Sequence, residues 1–274
     1  MAKMTEAEIL AKMKVLEDRI KAPSIWGRVP CGVRFEDLQD KRYEDTVRLL
    51  KKHYLPEEIT YRSVKIADDK EGTDEFTHNL RIWMKDKMSI AAVKEGTDKL
   101  VGCLIMRIQE KQAFSRTFSR VKITYNPQYS TVMTFYNAIE KPVDIYQKLG
   151  VRRYFKVYLV ALKPRYRHRG LMKEMLKSAI LLCAGAHVPG ISGIFTTCRQ
   201  QQIAEELGFQ KYHEIFYDKY KVEDEEVFVD TGAGNYSAAL MAYRIPEVEE
   251  ILEVESQHSS RFNIQTIGDG DQGE

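Results

Sequence analysis

Apolar positions recur along the chain with two different periods, and the sharpest change between them falls near residue 163. Tyr154 to Leu162 is a mostly apolar and aromatic run of strand length, whereas Leu171 to Leu182 is apolar at helical spacing. The pattern predicts strand, tight basic turn, helix. Upstream, Thr5-x-x-Glu8 is a capping box that opens a helix with Ile9, Leu10, Met13, Leu16 and Ile20 on one face, ended by Pro23. Gly32 to Leu38 alternates as a short strand. Arg42 to His53 is amphipathic through Val47, Leu49 and Leu50, and Thr73 or Asp74 caps a helix carrying Phe76, Leu80, Ile82 and Trp83. Two apolar runs, Ser89 to Val93 and Leu100 to Ile108, flank the hairpin signal Glu95-Gly96-Thr97-Asp98-Lys99.

Residues 110–129 carry no assignable pattern. Thr131 to Leu149 reads as helix interrupted at Pro142, followed later by a strand from Ile191 to Thr197. A short helix from Gln201 to Leu207 stops at Gly208, and strands Tyr212 to Tyr217 and Tyr236 to Arg244 close the pattern. Beyond Pro246 the chain turns acidic and then rich in Gly, Gln and Ser, which predicts a mobile tail. Periodicity alone gives a mixed α and β chain with one core.

Composition narrows the class. The 43% hydrophobic and 30% charged residues are ordinary for a globular domain. The longest apolar run, Ala179 to Ala186, is far too short to span a membrane, and no signal-peptide core is present, so a cytoplasmic location is expected. Four cysteines without CxxC spacing argue against structural zinc or a disulfide framework, and no metal is expected. The polar face of the N-terminal helix mixes both charge signs, which points to packing on the domain or a protein partner, not a membrane.

The turn itself, Lys163-Pro164-Arg165-Tyr166-Arg167-His168-Arg169-Gly170-Leu171-Met172, has the ingredients of a diphosphate corner. Backbone N–H groups converge at a helix N-terminus, the macrodipole favours an anion there, and Gly170 permits close approach. Arg165, Arg167 and Arg169 would add mobile positive charge. The alternative is a solvated basic turn or a nucleic-acid patch. With 42 Lys+Arg against 40 Asp+Glu and no second basic cluster, a long nucleic-acid footprint is not expected. Two other motifs fail. Gly232-Ala233-Gly234-Asn235-Tyr236-Ser237 misses the third glycine of the dinucleotide fingerprint and precedes a strand, and Cys198 has no histidine at a nucleophile's spacing. Tyr212, Phe216, Tyr217 and Tyr220 offer aromatic lining for a pocket, or simply sheet packing.

The corner resembles the acetyl-CoA motif of the GNAT acyltransferases through Arg167, Gly170 and Met172, the last departing from the small residue usual there. With His53-Tyr54-Leu55-Pro56-Glu57-Glu58 and Thr196-Thr197 before Leu207-Gly208-Phe209, the chain resembles the insect arylalkylamine N-acetyltransferases from about Val33 to about Arg244. That resemblance implies an α+β GNAT fold, a mixed twisted sheet flanked by helices, over residues 31–246. Residues 1–30 would be an amphipathic helical extension and 247–274 an acidic tail.

It further implies acetyl-CoA as co-substrate and a small primary amine as acceptor, by direct transfer in a ternary complex. At an amine pKa near lysine's, fewer than about one molecule in a thousand is neutral at pH 7, so a base is needed. The family places it after the first helix, at Glu58, with Glu57 as competitor. Thr197 keeps one of two family hydroxyls. Gln200 replaces the other, and Ala204 stands where many relatives carry an acid tyrosine. The N–H groups of Val160, Ala161 and Leu162 would polarise the thioester. Lys163 precedes the corner, where the amides of His168, Arg169, Gly170, Leu171, Met172 and Lys173 would hold the diphosphate. The rival readings are a protein, peptide or longer-chain acyl-CoA N-acyltransferase, and an acyl-CoA-binding module without turnover.

Overall fold

The computed structural model describes residues 23–111 and 125–246. The predicted N-terminal helix, the acidic tail and most of the unassigned 110–129 stretch lie outside them. The described residues form one mixed eight-stranded sheet in the order β1-β2-β3-β4-β5-β6-β10-β7. These strands are β1 (Ile25–Val29), β2 (Val33–Asp37), β3 (Ile90–Lys94), β4 (Lys99–Glu110), β5 (Arg153–Leu162), β6 (Gly190–Phe195), β7 (Gln210–Phe216) and β10 (Ser237–Arg244). A two-residue hairpin, β8 (Lys221–Val222) with β9 (Glu225–Glu226), stands apart. Every neighbouring pair in the sheet is antiparallel except β5 with β6. The helices are α1 (Tyr43–His53), α2 (Ile59–Ser63), α3 (Lys70–Met84), α4 (Pro127–Glu140), α5 (Ile145–Leu149), α6 (Leu171–Gly185) and α7 (Cys198–Glu206).

Helices cover both faces. On one, α6 buries Leu171, Met175, Leu176 and Ala179 against Phe35, Leu104, Met106, Phe155 and Val157. On the other, α1 and α3 bury Val47, Leu50, Phe76 and Leu80 against Ala91, Cys103, Ile105, Leu159 and Ala161. Phe155 and Val157 thus face α6, while Leu159 and Ala161 face the opposite side. A register shift between Ile105 and Met106 leaves Tyr158 unpaired in the β4–β5 ladder. This one-residue bulge exchanges the two faces of β5 and bends it.

Local chemistry moved several helix ends. The α3 helix begins at Lys70, because Asp69 accepts from the N–H groups of Glu71 and Gly72; Thr73 and Asp74 lie inside it. Asn126 caps α4 through Tyr129 N–H, so the helix starts at Pro127, four residues before the predicted Thr131, and the chain breaks at Pro142 as expected before Asp144 restarts α5. The α7 helix starts at Cys198 and not Gln201, since the Thr197 hydroxyl caps it. The α2 helix is too short to carry a periodic signal. Strand β1 lies within residues 1–30 and pairs with β2, fixed by the Trp26 indole donating to Asp37 Oδ1 at 2.7 Å.

Gly102 on β4 permits the close approach that positions the end of β5. A Cβ there would lie 2.5 Å from Leu162 Cδ2 and 2.7 Å from the Ala161 carbonyl oxygen. Gly102→Ala is therefore expected to cost about 1–3 kcal/mol through overpacking, read as a lower urea midpoint at constant slope. An unchanged midpoint would mean that this strand end shifts freely.

Candidate active site

The site begins where two parallel strands part. β5 pairs with β6 only from Phe155 to Val157, and past the Tyr158 bulge the two strands diverge. Lys163 N–H donates to Val101 O at 2.9 Å. By strand alternation, the N–H and C=O groups of Leu162 and Val160 then point away from β4, toward the gap. Ala161 lines the same cleft, but its N–H belongs to the ladder side, opposite Cys103. The donor set at this strand edge narrows from three predicted amides to two.

At the end of β5 the chain makes the basic corner. Arg167 is extended, while His168 (φ 59°) and Gly170 (φ 74°) are left-handed, and α6 starts at Leu171 with no side-chain cap. Its first backbone bond is Glu174 N–H to Gly170 O, so the N–H groups of Leu171, Met172 and Lys173 have no intrahelical acceptor. A side chain at Gly170 would meet nothing within 4 Å, so backbone conformation and open space, not crowding, suit glycine here. The Met172 thioether is half-buried and packs on the core cluster under α6.

The expected mobile charge takes another form. Arg167 is fixed on three sides: its Nε donates to Leu162 O at 3.0 Å, Nη2 donates to His53 O at 3.1 Å, and Nη1 pairs with Glu57. It staples the end of β5 to the end of α1. Arg165 lies over the Tyr166 ring and donates to its hydroxyl at 2.9 Å.

That staple also separates the two candidate carboxylates. Glu57 is engaged with Arg167. Glu58 is the N-cap of α2, its Oε2 accepting from Thr60 N–H at 2.9 Å, Tyr61 N–H at 3.1 Å and the Thr60 hydroxyl at 2.6 Å. Its other oxygen, Oε1, is buried without a hydrogen-bond partner among the described residues. A carboxylate anchored through one oxygen and bare at the other is unusual, because burying an unpaired acceptor is costly.

Glu57, Glu58, Val160, Ala161, Leu162, Arg167, His168, Gly170, Leu171, Met172 and Thr197 line one cleft of about 540 Å³. Lys163, Arg169 and Lys173 do not line it; Lys163 borders a neighbouring hollow, and Lys173 pairs with Glu206 at 2.6 Å. The cleft narrows to a waist of Tyr54, Val160, Thr196 and Gln200, which also line a smaller chamber of about 90 Å³ behind it. Thr197 caps α7 by accepting Gln200 N–H at 3.2 Å, which leaves its own hydroxyl proton uncommitted. Gln200 brings no hydroxyl, but its Oε1 accepts Thr196 N–H at 3.0 Å.

The chamber's aromatic lining is Tyr54, Tyr61, Trp83, Tyr136, Tyr158 and Phe195, drawn from the end of α1, from α2, α3 and α4, and from β5 and β6. None of the four aromatics singled out in the sequence belongs to it. Tyr217 and Tyr220 pack with Phe135 and Phe228 instead. Asn235 closes a turn and accepts Cys198 N–H at 3.0 Å, a structural use for the Gly232–Asn235 motif, and Cys198 is exposed beside it.

No protein-family model matches the chain. No curated protein matches it in sequence. Solved structures do match in three dimensions. A protein provisionally assigned as arylalkylamine N-acetyltransferase 7, from the yellow fever mosquito Aedes aegypti, superposes with a TM-score of 0.73 at 21% identity, over 82% of this chain and 96% of its own. Arylalkylamine N-acetyltransferase 2 from Aedes aegypti gives 0.71 at 18% identity, over 78% and 99%. The Drosophila melanogaster polyamine N-acetyltransferase, described as forming N-acetylagmatine, gives 0.62 at 13%, over 77% and 99%. At these identities the likeness is one of architecture, and the fold is the GNAT acyltransferase fold that the corner motif pointed to.

Around Glu58, the hydroxyls of Tyr54, Tyr61 and Tyr136 are held well above the ordinary tyrosine range, by burial first and by nearby charge second. Ionising them costs more in the folded chain than in the unfolded one. Their contribution to stability is therefore complete below the unfolded value of about 10 and is lost as pH climbs past it. Urea midpoints are expected to be flat from this cluster between pH 7 and 9 and to fall above pH 10. Phenolate absorbance from these residues should appear only with unfolding; early, reversible ionisation of all the tyrosines would contradict it.

Proposed function

We propose that the chain is an acetyl-CoA-dependent N-acetyltransferase of small primary amines, acting by direct transfer, with Glu58 as the base. One observation carries this reading: a buried, partnerless carboxylate oxygen shares a cleft with an unpaired strand edge and an uncapped helix N-terminus. Those features fit the co-substrate group by group. The uncapped N–H groups of Leu171, Met172 and Lys173 suit a diphosphate, with Gly170 leaving room above them. The outward N–H groups of Val160 and Leu162 and the Val160 carbonyl suit the amides of the pantetheine arm, paired as an added strand would be; the Leu162 carbonyl already accepts from Arg167. The likeness to solved N-acetyltransferases supports the same reading at the level of fold.

In this scheme the amine nitrogen attacks the thioester carbonyl carbon at the waist, and Glu58 Oε1 takes the proton that the nitrogen sheds. Negative charge gathering on the carbonyl oxygen meets the outward N–H of Val160. The carbon–sulfur bond then breaks and the electron pair leaves on sulfur. A thiol near pKa 8.5 leaves tolerably as thiolate, so the absence of an acid tyrosine at Ala204 does not prevent turnover. The Thr197 hydroxyl borders the cleft and is the donor offered to the departing sulfur. We place the activity in the cytoplasm; among the described residues no helix is long and apolar enough to cross a membrane. No nucleic-acid partner is proposed; a protein partner is proposed for the N-terminal extension, residues 1–30.

Glu58→Gln keeps an oxygen for the α2 cap and removes the base. It is expected to lower kcat by about 10²–10⁴-fold while leaving acetyl-CoA affinity, measured by calorimetry, within a few-fold of wild type. Thiol release at the wild-type rate would remove Glu58 from the chemistry. Tight CoA binding with no thiol release by the wild-type chain, across aryl, polyamine and peptide acceptors, would favour the binding-module reading.

A further inference from the structure

The chamber behind the waist contains a charge arrangement that the proposed chemistry leaves unused. Lys156 on β5 and Glu140 at the end of α4 both line it, half-buried, with Lys156 Nζ 2.6 Å from Glu140 Oε2. The same ammonium lies 5.2 Å from the centre of the Tyr158 ring. Tyr158 is itself stacked on Trp83 with ring centres 4.4 Å apart and planes at 18°, and its hydroxyl accepts from Gln109 at 3.1 Å. A carboxylate beside a fixed aromatic face is what a chamber needs to hold an organic ammonium ion.

Here the position is already filled from within. We propose that Glu140 and the Tyr158 ring form a second-cation subsite that Lys156 occupies permanently. The acceptor is then an amine whose far end is uncharged, an aromatic or alkyl monoamine, and diamines are rejected. This rests on the N-acetyltransferase reading of the site. The physical reason is that a diamine's distal ammonium would enter a small, partly enclosed chamber whose carboxylate is already paired, beside a like charge. A neutral ring loses nothing there and gains contact with Tyr61, Tyr136 and Trp83. Strand alternation sets Lys156 and Tyr158 together on the chamber side of β5, opposite Phe155 and Val157.

The test uses the full chain, 1,4-diaminobutane and phenethylamine. Calorimetric titration of the CoA-bound protein should find Lys156→Ala binding diaminobutane at least about tenfold tighter than wild type does. The variant's lowered Tm, from an unpaired Glu140, should recover on adding diaminobutane. Lys156→Ala/Glu140→Ala should show neither effect. If Lys156→Ala folds only with the diamine present, that is the same result. Should it fold under neither condition, Lys156→Gln, which keeps a donor toward Glu140, is expected to gain in the same direction. No gain in either variant, or equal diamine affinity in wild type and variant, overturns the subsite. Thiol release from acetyl-CoA with phenethylamine is read separately. Its absence in wild type would sink the transferase reading, while the binding titrations would still decide the subsite.

Discussion

Two adjacent parallel strands that cannot stay together organise everything else in this molecule. Backbone N–H and C=O groups are obligatory hydrogen-bonding groups, and a sheet normally satisfies them along its whole length. Here β5 leaves β6 after Val157, where the Tyr158 bulge bends it, and Val160 and Leu162 are left facing a gap. Such unpaired edges are ordinarily covered or blunted. An edge opening into a cleft that ends at an uncapped helix N-terminus forms a complementary surface for an extended ligand with amides along it and negative charge at its end.

The electrostatics follow from that geometry. Arg167, the most basic-looking feature of the corner in sequence, acts as a brace: it ties Leu162 O to His53 O and holds Glu57. The brace leaves Glu58 as the carboxylate that caps α2 through one oxygen and keeps the other bare and buried. Around it stand hydroxyls that burial keeps protonated, and Glu57 is paired with Arg167, so Glu58 is the cleft carboxylate left without a cation partner among the described residues. A low-dielectric site with a single placed base suits proton transfer from an amine.

Much of this was legible in the sequence because it is local. The strand, corner and helix around Lys163 are contiguous and strongly periodic, and the Glu57-Glu58 pair is adjacent in the chain. What stayed hidden depends on long-range contacts or on single-residue effects. A one-residue bulge inside the apolar run from Tyr154 to Leu162 leaves the composition unchanged, yet it exchanges the faces of β5. The chamber takes aromatics from six separate segments, so no window of sequence contains its pattern. Strand β1 is five residues inside the predicted helical extension, and its place shows only through its ladder with β2 and the bonds of Ser24 and Trp26 to Asp37. Gln200 reads in sequence as a lost hydroxyl; its carbonyl is anchored only once Thr196 is beside it.

The most direct test is a crystal structure of the chain with CoA. The pantetheine arm should run along the outward edge of Val160 and Leu162, with its sulfur at the waist of Tyr54, Val160, Thr196 and Gln200. The diphosphate oxygens should lie within hydrogen-bonding distance of the N–H groups of Leu171, Met172 and Lys173. CoA bound elsewhere, or that corner filled by the Met172 side chain, would contradict the account at its base.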